Sequence, residues 1–209
     1  SSKRTLKTGI FLQDDCIVYG KSDGSRERYP LSMIHLPGLH NVENVMAALA
    51  AARFCGCSQE RIVEAISGFR GLPHRIEFAG EKNAVKFYDD SKGTNVDAVL
   101  RALQTFSTPV ILLLGGRDKD GNFNALQPLL PLKTKQVVLF GEARDRISPQ
   151  LGRTAPISKE STLKAAVLHA YRDARPGDII LLSPGCASFD EFANYKERGN
   201  YFKDVVRNL

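Results

Sequence analysis

Two loop segments carry residues whose types suit the binding of an anionic ligand. They are DDSKGTN at 89–95 and SPGCASFDEF at 183–192. Each follows an apolar, strand-like run and precedes a helix-like run, and the free N–H groups and dipole of a helix N-terminus favour negative charge. In an α/β sheet, ligands bind outside the carboxyl ends of the strands. The spacing therefore predicts a ligand site built from loops, and we interpret the chain as part of an enzyme.

The first segment contains a lysine in a position where backbone can approach a ligand, because Lys92 is followed by Gly93. We expect Lys92 to be functional. Thr94 is open to two interpretations. With Asp97 it satisfies a capping-box pattern, and it is also placed to line the site.

A third strand-like run ends in GGRDK at 115–119, which brings paired glycines and Lys119 to another strand end. In the second segment, Ser188 and backbone N–H groups could hold a carboxylate, or Ser188 could cap the last helix. Asp190 is placed to open that helix. We expect Cys186 to be a buried thiol and not a nucleophile, since no His lies near it in the sequence.

Polar residues upstream of these loops suit a nucleotide. His40, Asn41 and Asn44 stand at a predicted helix start, where an Asn usually caps, although its side-chain amide can also pair with one edge of adenine. The guanidinium of Arg75 could donate paired hydrogen bonds to a phosphate or to a carboxylate, and the sequence leaves both possibilities open.

Composition excludes several classes of protein. The 209 residues are 43% hydrophobic and 25% charged, which is typical of globular domains, and the net charge of +6 is interleaved with acidic residues. We therefore expect anionic small molecules as partners, not nucleic acid. The longest apolar run, 45–52, is too short to span a membrane. Four scattered cysteines without metal-ligand spacing indicate reduced thiols, no metal site and a cytoplasmic location.

Two domains are predicted from the order of elements. The pattern of residues 1–71 predicts a short antiparallel β meander followed by two helices. Gly-Leu-Pro at 71–73 ends the second helical pattern and marks the predicted domain boundary. The remainder, 72–209, alternates strand and helix with continuous apolar strands, which predicts a Rossmann-like, doubly wound and mostly parallel sheet. The predicted elements are 9–13, 16–19, 26–31, 42–55 (a buried helix), 59–69, 85–88, 96–106, 110–114, 125–130, 136–140, 143–151, 162–174, 179–182 and 190–208.

Phosphate-binding signatures are missing from the sequence. Neither a GxxxxGK[ST] loop nor a GxGxxG fingerprint is present. A nucleotide site made by this chain alone would therefore be incomplete.

Taken together, the motifs resemble the Mur ligase family, and within it the members that add D-glutamate. The resemblance runs from about residue 38 to 209 and rests on GLHNVENVMAALAA, GLPHRIEF, YDDSKGTN, LLLGG and LLSPGCASFDEFANYKERGNYF, in this order and spacing. It implies that 1–71 is the end of a central ATPase domain and 72–209 a whole C-terminal domain. It further implies ATP-dependent joining of D-glutamate to UDP-N-acetylmuramoyl-L-alanine through an acyl phosphate, by a cytoplasmic protein that we expect to be a monomer.

The resemblance also implies roles for individual residues. His40, Asn41 and Asn44 would lie beside adenine, Arg75 beside phosphate, Asp90 near the ribose, and Lys92 with Thr94 where nucleotide and amino acid meet. Lys119, Ser188, Phe189 and Tyr195 would form the D-glutamate pocket. The P-loop and the Mg²⁺ ligands would lie upstream, so the chain alone would be inactive. Another Mur ligase, a folylpolyglutamate synthase and a non-catalytic nucleotide-binding module remain alternatives.

Overall fold

A computed structural model describes residues 2–36 and 38–209. The chain divides into a small unit, Ser1–Gly71, and a large unit, Leu72–Leu209. Each unit has hydrophobic core residues of its own. The two units are therefore described one at a time.

The small unit is an antiparallel meander with two helices. Its strands β1 (Gly9–Gln13), β2 (Cys16–Gly20) and β3 (Arg26–Pro30) pair in sequence order. Helices α1 (Leu39–Phe54) and α2 (Gln59–Gly68) follow, and Ser58 caps α2. This confirms the predicted meander and helices. Five buried side chains form the core: Ile17, Tyr29, Met46, Leu49 and Ile62.

The prediction that α1 is a buried helix is wrong for much of its length. Met46 and Leu49 are its only buried residues among those described. Four alanines are exposed: Ala47, Ala48, Ala50 and Ala51. Alanine favours a helix wherever the helix lies, so its abundance did not report burial.

The large unit is built on a six-stranded sheet of order β4-β5-β9-β6-β7-β8. All neighbouring pairs are parallel except β4 with β5. This confirms the mostly parallel sheet. The strands are β4 (Glu77–Lys82), β5 (Val85–Asp89), β6 (Val110–Gly115), β7 (Thr134–Phe140), β8 (Ile157–Lys159) and β9 (Ile179–Gly185).

Hydrophobic clusters cover both faces of this sheet, as the continuous apolar strands predict. Leu112 and Leu114 of β6 pack in one cluster, and Ile111 and Leu113 pack in the other. Alternate side chains of a strand point to opposite faces, so β6 contributes to both. The helices of this unit are α3 (Val96–Thr105), α4 (Leu130–Lys133), α5 (Arg144–Leu151), α6 (Leu163–Asp173) and α7 (Tyr195–Arg207).

Two predicted helices of the large unit differ from the structure. The segment 125–130 contains no continuous helix: a 3₁₀ turn, Phe123–Leu126, and α4 lie on either side of Pro128, which has no N–H to donate to a helical hydrogen bond. The last helix begins at Tyr195 and not at 190, because the Asn194 side chain caps it by accepting from the N–H groups of its first turn. Strands β4 and β8 at the sheet edges were not predicted.

None of the helices in the described part of the chain has both the length and the apolar character that crossing a membrane requires.

Candidate functional site

The strand order brings three of the singled-out loops to one edge of the sheet, because β9 lies between β5 and β6. Backbone hydrogen bonds join these loops. Gly185 N–H donates to Gly93 O at 2.8 Å, and Arg117 and Ala187 exchange two bonds of 2.9 Å. The loops that carry Lys92, Lys119 and Ser188 therefore form one connected surface, which we call the loop edge.

A buried arginine stabilises this loop edge through hydrogen bonds to two of its loops. Arg198 of α7 is fully buried. Its guanidinium donates to Ser91 Oγ at 2.9 Å, to Ser91 O at 2.8 Å and twice to Cys186 O at 3.1 Å. Ser91 Oγ in turn donates to Tyr195 O at 2.8 Å. Arg198 thus ties the loop after β5 to the loop after β9. It lies within the segment LLSPGCASFDEFANYKERGNYF, but the sequence analysis gave it no role.

Lys92 lies against Tyr195. Its Nζ is 3.3 Å from Tyr195 Oη and 4.7 Å from the centroid of the ring. Asn95, and not Thr94, caps α3, since Asn95 Oδ1 accepts from Ala98 N–H at 2.8 Å. The capping-box interpretation of Thr94 is therefore wrong, and Thr94 is a half-buried residue at the loop edge.

On the other side of the loop edge, Lys119 and Phe189 are both exposed, with Lys119 Nζ 5.8 Å from the centroid of the Phe189 ring. Ser188 is buried between them and β9, and it does not cap the last helix. Asp190 does not open that helix either. Its Oδ2 accepts from Glu142 N–H at 3.1 Å, which joins the loop after β7 to the loop edge.

Two consecutive carboxylates, Asp89 and Asp90, are buried at the end of β5. Burial raises the pKa of Asp90 to about 7, although a hydrogen bond of 2.7 Å from Ser183 Oγ lowers it. Burial also raises the pKa of Asp89, against the bond from Ser91 N–H at 2.8 Å. In the same region, burial raises the pKa of the Cys186 thiol to about 12, so it is not a ready nucleophile.

Arg75 is exposed and stands beside this pair of carboxylates, where its charge favours the ionised form of Asp90. The preceding residue, His74, is buried, and its Nδ1 lies 2.7 Å from Asp89 Oδ2. Sequence reasoning named Arg75 and missed His74 and Asp89. Both lie inside quoted motifs, His74 in GLPHRIEF and Asp89 in DDSKGTN, and their positions next to Arg75 and Asp90 were a signal that could have found them.

His74, Glu77 and Asp89 are close enough to be considered as a metal site, since their ligand atoms lie within 4.8 Å of one another. These groups already satisfy one another. His74 bonds to Asp89, and Lys203 Nζ neutralises Glu77 at 3.0 Å. The arrangement is that of a hydrogen-bonded cluster with its own cation, and we assign no metal to it.

The remaining candidates lie in the small unit, on the first turns of α1. This helix begins at Leu39 with Gly38 as its N-cap and no side-chain cap, so the capping interpretation of the asparagines is wrong. Asn44 is exposed, and its Nδ2 is 3.5 Å from Asn41 Oδ1. His40 and Asn41 are partly buried.

Comparison with known proteins gives a consistent picture. A family profile described as "Mur ligase, glutamate ligase domain" matches residues 74–186. A UDP-N-acetylmuramoylalanine–D-glutamate ligase of Syntrophus aciditrophicus is 56% identical over 99% of this chain and 46% of its own length. The chain thus spans about half the length of the curated relatives it matches.

Solved structures share the fold. A pseudomurein peptide ligase type C from Methanothermus fervidus superposes with a TM-score of 0.71 at 16% identity, covering 99% of this chain and 42% of that one. E. coli FolC in complex with ADP gives 0.68 at 19% identity, covering 96% and 47%.

Proposed function

This chain belongs to the Mur ligase family, and we propose that it is the carboxyl-terminal part of an ATP-dependent ligase that adds D-glutamate to UDP-N-acetylmuramoyl-L-alanine. The relative named above supports this choice of substrate. The observation that carries the proposal is the loop edge. Three neighbouring loops, joined by backbone hydrogen bonds, bring Lys92, Lys119 and the half-buried Thr94 to one surface, with Ser188 buried beneath it.

On the nucleotide side, Lys92 and Arg75 neutralise phosphate oxygens. His40, Asn41 and Asn44 contact adenine, and Asp90 faces the ribose. ATP, when bound, supplies the phosphoryl group that activates the substrate carboxylate. Phosphoryl transfer depends mainly on positioning and charge neutralisation, and two cations beside buried carboxylates suit that task.

On the amino-acid side, Lys119 binds a carboxylate of D-glutamate, and Ser188 and backbone N–H groups bind its second carboxylate. The walls of this pocket are formed by Thr94, Phe189 and Tyr195. Lys92 holds its ammonium group against Tyr195, at the junction of the two sides. The incoming amine is thereby directed to the activated carboxyl group.

The rest of the machinery belongs to the upstream part of the longer protein. Asp89 and Asp90 are engaged by His74 and Ser183, and the resemblance to the family puts the metal ligands in the part of the protein before this chain. We therefore place the Mg²⁺ ligands and the P-loop upstream. The whole protein works as a cytoplasmic monomer whose partners are small molecules: ATP, D-glutamate and the UDP-linked substrate.

The test uses the longer protein that contains this chain. We expect phosphate release that requires both UDP-N-acetylmuramoyl-L-alanine and D-glutamate, with a D-glutamyl product detected by mass spectrometry. The amino-acid controls are L-glutamate, D-alanine and diaminopimelate, and a folate substrate tests the folylpolyglutamate alternative. The 209-residue chain alone should release no phosphate above a blank.

Turnover with another of these substrates, in place of D-glutamate, would reassign the ligase within its family. ATP binding without turnover of any substrate would favour the non-catalytic module.

A further inference from the structure

The backbone on either side of Arg75 is held in an unfavourable conformation. His74 has φ 63° and Ile76 has φ 49°, both in the left-handed region. For the β-branched Ile76 this is a genuine outlier, and such a backbone conformation costs conformational energy. Strained residues persist only where their surroundings over-determine them, so the contacts of this short segment reveal what fixes it.

His74 is fixed by contacts through its backbone and its ring. Its N–H donates to Glu77 Oε2 at 2.9 Å, and its carbonyl accepts from Lys92 N–H at 3.1 Å. The ring is hydrogen-bonded to Asp89 at 2.7 Å and meets the Tyr195 ring edge-on, with centroids 5.9 Å apart. Tyr195 also contacts Lys92 Nζ. His74 therefore touches the Lys92 loop at its backbone and, through Tyr195, at its side chain.

Ile76, on the other side of Arg75, stands beside the second buried carboxylate. The backbone N–H of Ile76 and the charge of Arg75 both favour the ionised form of Asp90. Of the two neighbours of Arg75, His74 is hydrogen-bonded to Asp89 at the end of β5. The exposed Arg75 side chain therefore follows a residue that is attached to the sheet.

Helix α7 packs directly against the hydrogen-bonded pair of His74 and Asp89. A Cβ added at Gly199 would lie 2.2 Å from His74 Nδ1 and 2.6 Å from Asp89 Oδ2. These are positions that real Cβ atoms do not occupy, so Gly199 lets the helix backbone rest directly on the hydrogen-bonded pair. The pair can neither shift toward α7 nor leave β5.

We propose that His74 and Asp89 are a positioning pair that fixes Arg75 relative to Lys92, so that both cations bind one phosphate group as a preformed unit. The inference rests on the proposed nucleotide-side roles of Arg75 and Lys92. It adds two residues that contact no substrate and act through Arg75. The Lys92 loop is tethered separately, by Ser91 to Arg198 and by Gly93 to Gly185. Loss of Asp89 also removes its bond from Ser91 N–H, but these separate tethers still hold the Lys92 loop, so the main effect is to release Arg75.

The chain offers a matched control. His169 and Glu160 form a second His–carboxylate pair with the same 2.7 Å distance, at α6 and the residue after β8. Neither residue has a positive φ, and neither adjoins a candidate site residue. Glu160→Ala removes the same kind of contact as Asp89→Ala without touching the segment of Arg75.

The experiment is a double-mutant cycle on the longer protein, read as the dissociation constant of ATP by calorimetry. Arg75→Ala and Asp89→Ala should each weaken ATP binding roughly tenfold or more, and the double variant should match Arg75→Ala within about twofold. Asp89→Asn should restore most of the affinity, because an amide can still bond to His74 and Ser91. Glu160→Ala should change nothing.

The proposal would be overturned if the fold-change in the ATP dissociation constant of the double variant equalled the product of the two single fold-changes. Asp89 would then act on binding independently of Arg75. An unaltered ATP affinity in Asp89→Ala would also overturn the proposal. If Asp89→Ala fails to fold, Gly199→Ala enters the same cycle, since it displaces the pair while keeping every polar group. The cycle contains no D-glutamate, so the identity of the amino-acid substrate is decided separately, by product formation in the wild-type protein.

Discussion

The loop edge and the first turns of α1 present their candidate residues in opposite ways. At the loop edge, backbone bonds and the buried Arg198 fix loops that are far apart in sequence. On α1, Asn44 projects from an exposed helix surface with a single long contact of 3.5 Å to Asn41. The first region is preorganised by its own unit. The exposed Asn44 side chain has no comparable network among the described residues, so a bound ligand can set its conformation.

The largest expected difference concerns Arg198. Arg198→Ala leaves the carbonyls of Ser91 and Cys186 without their donor and opens a cavity, so we expect the large unit to lose about 3 kcal/mol or more of its free energy of unfolding. Hydrogen exchange resolved by segment should show the loss in 72–209 and not in 2–36 or 38–71. Arg207→Ala, an exposed arginine of the same helix, is the control and should change stability by less than about 0.5 kcal/mol. Equal effects would show that the loop edge does not depend on Arg198.

Two glycine substitutions, one in each unit, test the same difference between a region fixed by close contacts and an exposed one. Gly115 has φ 150°, and an added Cβ would lie 2.0 Å from Phe140 O, whereas Gly56 has φ 79° with nothing within 4 Å. Gly115→Ala should therefore destabilise the large unit by about 3 kcal/mol or more, while Gly56→Ala should cost the small unit about 1 kcal/mol from backbone strain alone. Denaturant unfolding with segment-resolved exchange measures both. A tolerated Gly115→Ala would mean that the strand end can move.

The buried Asp90 makes the loop edge sensitive to pH. A folded-state pKa of about 7 against the ordinary 3.8 means that the folded state binds the proton more tightly. Asp90 then favours folding fully below about pH 4, and this contribution is lost as the pH rises through 7. Relative to wild type, Asp90→Asn should gain on the order of 2 to 4 kcal/mol of unfolding free energy between pH 4 and 8. Denaturation at several pH values checks this, and a constant difference would contradict it.

The smallest effects concern binding. In the longer protein, Lys119→Ala should raise the Michaelis constant for D-glutamate roughly tenfold to a hundredfold, as loss of a charge-assisted bond of ~1.5 to 3 kcal/mol, with little change for ATP. Asn44→Ala should raise the constant for ATP by roughly tenfold or less, since a neutral hydrogen bond is worth ~0.5 to 1.5 kcal/mol. Steady-state kinetics with each substrate varied separates the two. An equal effect of Lys119→Ala on both substrates would remove it from the amino-acid pocket.

Local patterns predicted the elements of this chain well where the signal is local. Apolar runs such as 110–114 and the Ser58 cap gave strands and helices close to the observed bounds, because period and capping depend on near neighbours. The three-residue strand Ile157–Lys159 is too short to show the alternation of apolar and polar residues that predicts a strand. It forms because its backbone pairs with β7. For the last helix, Asp190 looked like a cap, yet its side chain is engaged by the loop after β7.

The alternation of strands and helices, the mostly parallel sheet and the loops that carry Lys92, Lys119 and Ser188 could all be predicted from the amino-acid sequence. The way in which these loops are held could not. The placement of β9 between β5 and β6, the buried Arg198 and the bond of His74 to Asp89 each join residues distant in the chain. The physical reason is that a buried polar group finds its partner by proximity in the fold, and no local spacing records that choice.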